Sequence, residues 1–221
     1  MGRSNAIDAG RSRHGVVVLV LGALLAGCGG SGGGGAGPGA QADFCDSRPF
    51  TPANQSAYVL PYTVGSTFTM FQGNCPANPA WGHNGMFAYD FDLPTGTPVR
   101  ASREGTVIFT NEQFSDDDHI PGHENLVVIQ HADGTVMRYA HLTMNGVEVA
   151  RGASVQPGDL LGFSGNSGNS SGPHLHIDLL RNNTDFSKSN TLPLTFRNVG
   201  GTVLASGELI QDQRYTALPI T

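Results

Sequence analysis

The residues of this chain that could do chemistry fall in three separate segments. His83 and Asp90 lie in the first segment, His141 closes the second, and the third contains His174 and His176. Imidazole and carboxylate side chains in this mix can hold a zinc ion through three protein ligands and leave a fourth coordination position for water. The residue types therefore predict a hydrolytic metal site.

The third segment predicts a strand that presents paired ligands. Polar and apolar side chains alternate strictly along His174, Leu175, His176, Ile177, Asp178 and Leu179. Such alternation is typical of a half-buried strand, so that both imidazoles and the carboxylate project from one face. Two histidines on a strand can also be surface decoration. The Gly/Ser-rich stretch 162–172 before the strand, together with the partners elsewhere, favours a site.

Short strands and turns, without a convincing amphipathic helix, are predicted for the rest of the chain. Residues 125–130 and 135–141 flank Asp133-Gly134, a dipeptide typical of a two-residue hairpin turn. Counting back from this turn puts His131 opposite Val136. At about 3.3 Å per residue, His131 then lies roughly 17 Å from His141, so we expect it outside the site.

Two further hairpins are predicted at residues 97–109 and 153–163, the second with Gln156-Pro157-Gly158-Asp159 at its turn. Residues 192–196 and 202–204 look like added edge strands. Together these patterns predict an all-β fold, either an antiparallel β-sandwich or a partly open barrel. A length of 221 residues with 38% hydrophobic content suits one compact domain.

The N-terminus predicts an exported lipoprotein. Residues 1–27 combine a basic start with an apolar stretch, 16–26, that is too short to span a membrane stably. Leu25-Ala26-Gly27-Cys28 resembles a bacterial lipobox, with cleavage before Cys28 and lipidation of its sulfur. Small residues just before the cysteine argue against an uncleaved anchor or an ordinary signal peptide. Residues 28–42 then form a lipidated, Gly/Ser-rich tether on a membrane.

The net charge of the chain argues against nucleic acid as a partner. Removing residues 1–27 takes away three arginines and one aspartate, which leaves 9 basic and 17 acidic residues. Nucleic acid is therefore not expected as a partner, since phosphate binding needs a basic surface.

Cys45 and Cys75 remain as an even pair in a compartment that permits disulfides, and we expect them to be bridged.

Three motifs carry a specific family resemblance. Asp90-Phe91-Asp92-Leu93-Pro94-Thr95-Gly96-Thr97-Pro98-Val99, Tyr139-Ala140-His141-Leu142 and Gly172-Pro173-His174-Leu175-His176 stand in the chain in this order. They resemble the signatures of lysostaphin/LytM-type zinc metalloendopeptidases, which hydrolyse peptidoglycan and have the duplicated hybrid motif fold. The resemblance covers about residues 81 to 182.

The resemblance implies a role for each site residue. His83, Asp90 and His176 become ligands of one zinc ion, and His141 and His174 become the catalytic pair. Either of the pair can take the proton from water while the other stabilises the oxyanion.

One departure concerns the first motif, because six residues separate His83 from Asp90 where the family commonly has three. We place the extra residues in the loop that carries His83. The rival ligands are Asp92, His119 and His123. Asp178 is a candidate to accept a hydrogen bond from a ligand imidazole, and surface exposure of this side chain is the alternative.

These observations predict a chain of five parts: a signal peptide at 1–27, the tether at 28–42, an N-terminal extension at 43–72, a zinc endopeptidase core at 73–185 and added strands at 186–221. The predicted function is cleavage of peptidoglycan cross-links or stem peptides, from a lipid anchor on the periplasmic face of the bacterial cell envelope. An outer-membrane location follows if a Gram-negative sorting rule applies to Gly29. The alternatives are a non-catalytic relative that binds cell wall or activates another hydrolase, and a phosphocarrier or lipoyl-like domain.

Overall fold

The computed structural model describes residues 48–75, 82–83 and 86–221. These residues form thirteen strands and two 3₁₀ turns, Ala53–Gln55 and Lys188–Asn190, and contain no α-helix. The strands are β1 (Thr67–Gln72), β2 (Tyr89–Phe91), β3 (Pro98–Arg100), β4 (Gly105–Asn111), β5 (Leu126–Gln130), β6 (Val136–Ala140), β7 (Leu142–Val147), β8 (Ser154–Val155), β9 (Leu160–Ser164), β10 (Leu175–Leu180), β11 (Thr191–Leu192), β12 (Val199–Gly200) and β13 (Gln213–Ala217).

The strands form two antiparallel sheets. The large sheet runs in the order β12-β13-β1-β2-β10-β6-β5-β4-β8, with β11 paired to β10, and the small sheet runs β3-β9-β7. Both sheets contribute to one core, which includes Tyr139 and Ile177 from the large sheet and Val99 and Leu161 from the small one. The prediction of an all-β antiparallel fold is confirmed.

Strand β10 lies in the middle of the large sheet, between β2 and β6. Its side chains Leu175 and Ile177 enter the core, as their alternation predicts. All six residues of β10 are buried, however, so the prediction of a half-buried strand is wrong. The face of β10 that carries Asp178 is covered as well, because the Arg138 side chain pairs with this carboxylate. The guanidinium carbon of Arg138 lies 5.6 Å from the centroid of the Phe186 ring.

The hairpin of β5 and β6 is confirmed, but its register differs by one residue from the prediction. Gln130 lies opposite Val136, and the loop contains three residues, 132–134, rather than two. The N–H of Gly134 donates to the carbonyl of His131 at 3.0 Å, and Gly134 has φ +85°. A tight turn followed by a left-handed glycine is the usual conformation of a three-residue hairpin loop, since it matches the twist of the flanking strands.

The two other predicted hairpins are wrong. β3 pairs with β9, whereas β4 pairs with β5 and β8, so residues 97–109 contribute to both sheets. Residues 153–163 also cross between sheets, although their turn is present: the N–H of Asp159 donates to the carbonyl of Gln156 at 3.0 Å. Turn residues indicate that the chain reverses, but they do not indicate which sheet the next strand joins.

The segments on either side of the predicted core add strands to the large sheet. β1 pairs with both β2 and β13, and β11 pairs with β10. Leu192 belongs to β11, as predicted for residues 192–196, whereas residues 202–204 form only an isolated bridge from Val203 to Leu209. Strand β13 was not predicted.

Several predictions fall on residues outside the described ranges. The signal peptide, the tether, Cys28 and Cys45 all precede residue 48, and Cys75 is buried at the end of a described segment. Lipidation of Cys28 and pairing of Cys45 with Cys75 therefore stay predictions. In the described part of the chain, no helix has the length and apolarity needed to cross a membrane.

Candidate metal centre

Strand register brings the three predicted metal ligands together. Asp90 on β2 lies directly opposite His176 on β10. His83 precedes β2 and is held beside them by a parallel bridge to Asn74, which follows β1. All three ligand side chains are buried, with exposed fractions of 8% or less. The extra residues between His83 and Asp90 therefore do not remove His83 from the site.

The donor atoms of these side chains lie at distances that suit one ion. Nε2 of His83 is 3.1 Å from Oδ2 of Asp90, and Nδ1 of His176 is 2.8 Å from Oδ1 of Asp90. One donor atom from each residue lies within 4.8 Å of the other two. Tetrahedral ligands at ordinary zinc bond lengths are about 3.3 Å apart, so small side-chain shifts would complete the coordination sphere.

The hydrogen bonds around the imidazoles leave nitrogen atoms available to a metal. Nδ1 of His83 donates to the carbonyl of Gly73 at 2.9 Å, because a carbonyl can only accept. This bond fixes the tautomer and leaves the Nε2 lone pair directed at Asp90. Nδ1 of His176 faces Oδ1 of Asp90 at 2.8 Å and is the nitrogen that this ring would offer to the ion. Its Nε2 is buried and has no hydrogen-bond partner in the described part of the chain. Two imidazoles and one carboxylate are a donor set that fits zinc.

Charge in this cluster favours an ionised carboxylate. Burial raises the pKa of Asp90, but the neighbouring His83, His174 and His176 outweigh burial and hold it well below its usual range. Burial lowers the pKa of His83, and the attraction of Asp90 outweighs this effect, so that the net shift is upward. Zinc and protons therefore compete for the same ring nitrogen of His83.

The predicted catalytic pair lies beside the ligands. The ring centroids of His141 and His174 are 4.4 Å apart, and Nε2 of His174 is 3.9 Å from Oδ2 of Asp90. Nδ1 of His141 donates to the carbonyl of Ser167, and Nδ1 of His174 donates to the carbonyl of Gly172, both at 2.8 Å. Each imidazole thus keeps its Nε2 available for substrate or water.

His141 occupies a strained position between the two sheets. β6 ends at Ala140 in the large sheet, β7 begins at Leu142 in the small sheet, and His141 turns the chain with φ +63°. A left-handed conformation costs a residue other than glycine roughly 1–2 kcal/mol, and such strain clusters at functional sites. Burial, followed by the charges of His174 and His176, lowers the pKa of His141 to about 3, so this imidazole stays neutral.

Asp178 is buried, so the alternative of surface exposure is wrong. Its carboxylate accepts hydrogen bonds from Nε of Arg138, at 2.7 Å, and from Nη2 of the same guanidinium. Burial raises the pKa of Asp178, and Arg138 outweighs burial and lowers it. Among the described residues, the recorded bonds of this carboxylate go to Arg138 rather than to a ligand imidazole, so the structure pairs Asp178 with a residue that the sequence analysis did not identify.

The rival ligands lie elsewhere. Asp92 and His119 are exposed, and Nδ1 of His123 is bonded to Asp118 at 2.7 Å. His131 lies outside the site, as predicted, with its Nδ1 donating to the carbonyl of Glu104 at 2.7 Å.

Residues 82–188 match the sequence model of peptidase family M23. The chain carries an M23 peptidase domain. The chain is 41% identical over 98 residues to the peptidoglycan DD-endopeptidase ShyA of Vibrio cholerae. The matched region covers 44% of this chain and 20% of that protein. The chain is 40% identical over 96 residues to the DD-carboxypeptidase/endopeptidase Mpg of Neisseria meningitidis, covering 43% of this chain and 19% of the relative.

These two relatives are longer proteins, and the chain spans about a fifth of the length of each. Among solved structures, the catalytic domain of lysostaphin from Staphylococcus simulans is similar, with 26% identity, a TM-score of 0.41, and coverage of 60% of this chain and 88% of that one.

Residues that precede the M23 domain contribute contacts to the candidate metal centre. The carbonyl of Gly73 orients His83, and the ring of Phe71 packs edge-on against His174 with centroids 5.6 Å apart. Sequence reasoning missed both residues, since neither belongs to a motif. It also missed the two carbonyls of Ser167 and Gly172, although they lie in or beside the Gly/Ser-rich stretch that the sequence singled out.

Proposed function

We propose that this chain is a membrane-anchored zinc metalloendopeptidase that hydrolyses peptide bonds in the cross-links of peptidoglycan. The observation that carries the proposal is the convergence of His83, Asp90 and His176 within 4.8 Å of one another, next to the paired imidazoles of His141 and His174. Membership of the M23 domain in a peptidase family and the names of the relatives support the substrate class.

His83, Asp90 and His176 are the residues that would hold the zinc ion. When bound, zinc supplies a Lewis acid for the scissile carbonyl and lowers the pKa of a coordinated water to about 7. Asp90 contributes one negative charge, and its depressed pKa keeps that charge in place. Gly73 keeps the ring of His83 in the orientation that the ligand set requires.

His141 and His174 perform the proton chemistry. One imidazole accepts the proton of the attacking water through its Nε2 atom, and the other, when Nε2 also carries a proton, donates from Nε2 to the developing oxyanion. Because each Nδ1 is tied to a backbone carbonyl, the two rings cannot rotate away from the site without losing a hydrogen bond. This arrangement supplies orientation before the substrate arrives.

The location of the enzyme follows from the N-terminal residues. Lipidated Cys28 would hold the protein on the periplasmic face of the bacterial envelope, on the outer membrane in a Gram-negative cell, and residues 28–42 would let the catalytic part reach the wall. A bridge between Cys45 and Cys75 would attach the N-terminal extension, residues 43–72, to the core at 73–185. The added strands at 186–221 complete this arrangement.

A digest of purified cell-wall sacculi tests the proposal. Protein lacking residues 1–28 should bind about one zinc per chain and convert cross-linked into uncross-linked wall fragments, whose summed mass exceeds that of the substrate by one water per cut bond. The matched control is His141→Ala, which should bind zinc and form product at a rate that is lower by about 100-fold or more. A wild-type protein that binds sacculi without cutting their cross-links would instead be a non-catalytic wall-binding relative, and the enzyme assignment would be wrong.

A further inference from the structure

Asp116 lies between the two chain segments that hold the catalytic pair. Its Oδ2 accepts a hydrogen bond from the Thr143 hydroxyl at 2.6 Å, and its Oδ1 accepts one from the backbone N–H of Asn166 at 3.0 Å. Thr143 follows His141 by two residues on β7. One carboxylate therefore joins the strand after His141 to the loop before His174.

The loop that Asp116 contacts, residues 165–173, determines the orientation of both catalytic imidazoles. It supplies the Ser167 carbonyl that accepts from His141 and the Gly172 carbonyl that accepts from His174. The N–H of Gly165 also donates to the carbonyl of His141 at 2.8 Å. A shift of this loop would rotate both rings at once.

The contact between Asp116 and this loop is close. A Cβ atom placed on Gly165 would lie 2.5 Å from Oδ1 of Asp116 and 2.4 Å from the backbone nitrogen of Thr143. Both distances are far below van der Waals contact. Glycine is therefore required at position 165 for Asp116 to reach both segments.

The metal ligands are positioned by other means. Asp90 and His176 lie opposite each other on paired strands, and His83 is oriented by Gly73. None of these contacts involves Asp116 or the loop at 165–173. Removing the Asp116 carboxylate should therefore disturb the catalytic pair and leave zinc binding intact.

We propose that Asp116 is a positioning residue, whose two carboxylate oxygens hold the segments of His141 and His174 in the one arrangement that directs both Nε2 atoms at the substrate. The inference rests on the proposed function, because it assigns the two imidazoles to the reaction.

A second set of hydrogen bonds connects the same segments without Asp116. The N–H of Asn125 donates to the Ser167 hydroxyl at 3.0 Å, and the Nδ2 atom of Asn125 donates to the Leu142 carbonyl at 3.1 Å.

The test compares full-length Asp116→Ala with Asp117→Ala, which removes an exposed carboxylate at the adjacent position. Zinc content, kcat and KM are measured for each variant on a purified cross-linked muropeptide. Asp116→Ala should keep one zinc and a KM close to that of wild type, while kcat falls by about 100-fold, the loss expected of a small misplacement of catalytic groups. Asp117→Ala should match wild type.

Asp116→Asn should recover most of kcat, because its amide oxygen accepts from Asn166 and its amide nitrogen donates to the Thr143 hydroxyl. Equal kcat values for Asp116→Ala and Asp117→Ala would overturn the proposal. If Asp116→Ala unfolds or loses zinc, Thr143→Val decides: reduced kcat with zinc retained supports the proposal, and unchanged kcat overturns it. A wild-type enzyme that does not cut the muropeptide would refute the proposed function instead.

Discussion

The proposed metal ligands and the proposed catalytic pair lie side by side but are positioned by different kinds of structure. Asp90 and His176 face each other across two paired strands in the middle of a ten-stranded sheet. His141 and His174 lie at strand ends, and their rings are fixed by carbonyls from a loop. His141 also adopts a left-handed backbone conformation, whereas no ligand does so.

This difference separates metal binding from reaction geometry. Register in a buried sheet is strongly specified, because a slip of one residue would turn every side chain to the other face. Loop hydrogen bonds are individually worth about 1 kcal/mol and can be lost one at a time. We therefore expect the ligand cluster to tolerate changes in the loops, and the catalytic pair to depend on them.

Removing a ligand should have the largest effect. Asp90→Ala takes away the only anionic donor among the three ligands, so zinc affinity should fall by well over about 100-fold, the loss typical of a supporting hydrogen bond alone. Cleavage of cross-links in sacculi should fall to background. Metal analysis after dialysis checks the first result, and retention of stoichiometric zinc by this variant would contradict the ligand assignment.

Removing one imidazole of the catalytic pair should separate the two regions. His174→Ala leaves all three ligands in place, so it should keep its zinc while kcat falls by about 10²- to 10⁴-fold, the usual contribution of a positioned acid or base. Metal content and steady-state kinetics are measured on the same sample. Loss of zinc together with activity would show that His174 belongs to the ligand set.

The buried pair of Arg138 and Asp178 should affect stability. Arg138→Met leaves the Asp178 carboxylate, which is 0% exposed, without its partner, and should lower the free energy of unfolding by about 3–5 kcal/mol. The double variant Arg138→Met/Asp178→Leu should recover most of this loss. Urea unfolding provides the measurement, with the exposed Arg151→Met as a control that changes stability by about 0.5 kcal/mol or less.

If the single and double variants prove equally destabilised, the cost lies in packing rather than in an unpaired charge. The comparison thereby shows whether the strand that carries His176 depends on the ion pair beside it.

The smallest predicted effect concerns pH. The pKa of His83 is raised, because attraction to Asp90 outweighs burial, so a proton competes with zinc to a higher pH than at an ordinary histidine. Zinc affinity should therefore fall as pH decreases, by up to about tenfold per unit for each proton displaced. Competition with a chromophoric chelator between about pH 6 and about pH 8 checks this result. An affinity that is constant over this range would contradict the shift.

The sequence predicted the proposed ligand cluster more fully than it predicted the pairing of the surrounding strands. Alternation along β10 put His176 on one face, and the Asp90 motif supplied its partner, because strand periodicity is a local property. The pairing of β3 with β9 and the addition of β13 beside β1 were not predictable from local pattern. These pairings join residues far apart in the chain.

The supporting contacts of the site were also missed for a physical reason. Gly73, Ser167 and Gly172 act through backbone carbonyls, and any residue type has a carbonyl. The register of the β5–β6 hairpin was off by one because Asp-Gly suits both a two-residue loop and the three-residue loop that Gly134 closes.

Anomalous scattering at the zinc edge, from crystals of the zinc-loaded protein, shows whether the three proposed ligands share one ion. We predict a single zinc peak bound by His83, Asp90 and His176 at about 2.0–2.2 Å, with His141 and His174 near the open position. A peak held by the loop that contains His119 and His123, or no peak among the three ligands, would contradict it.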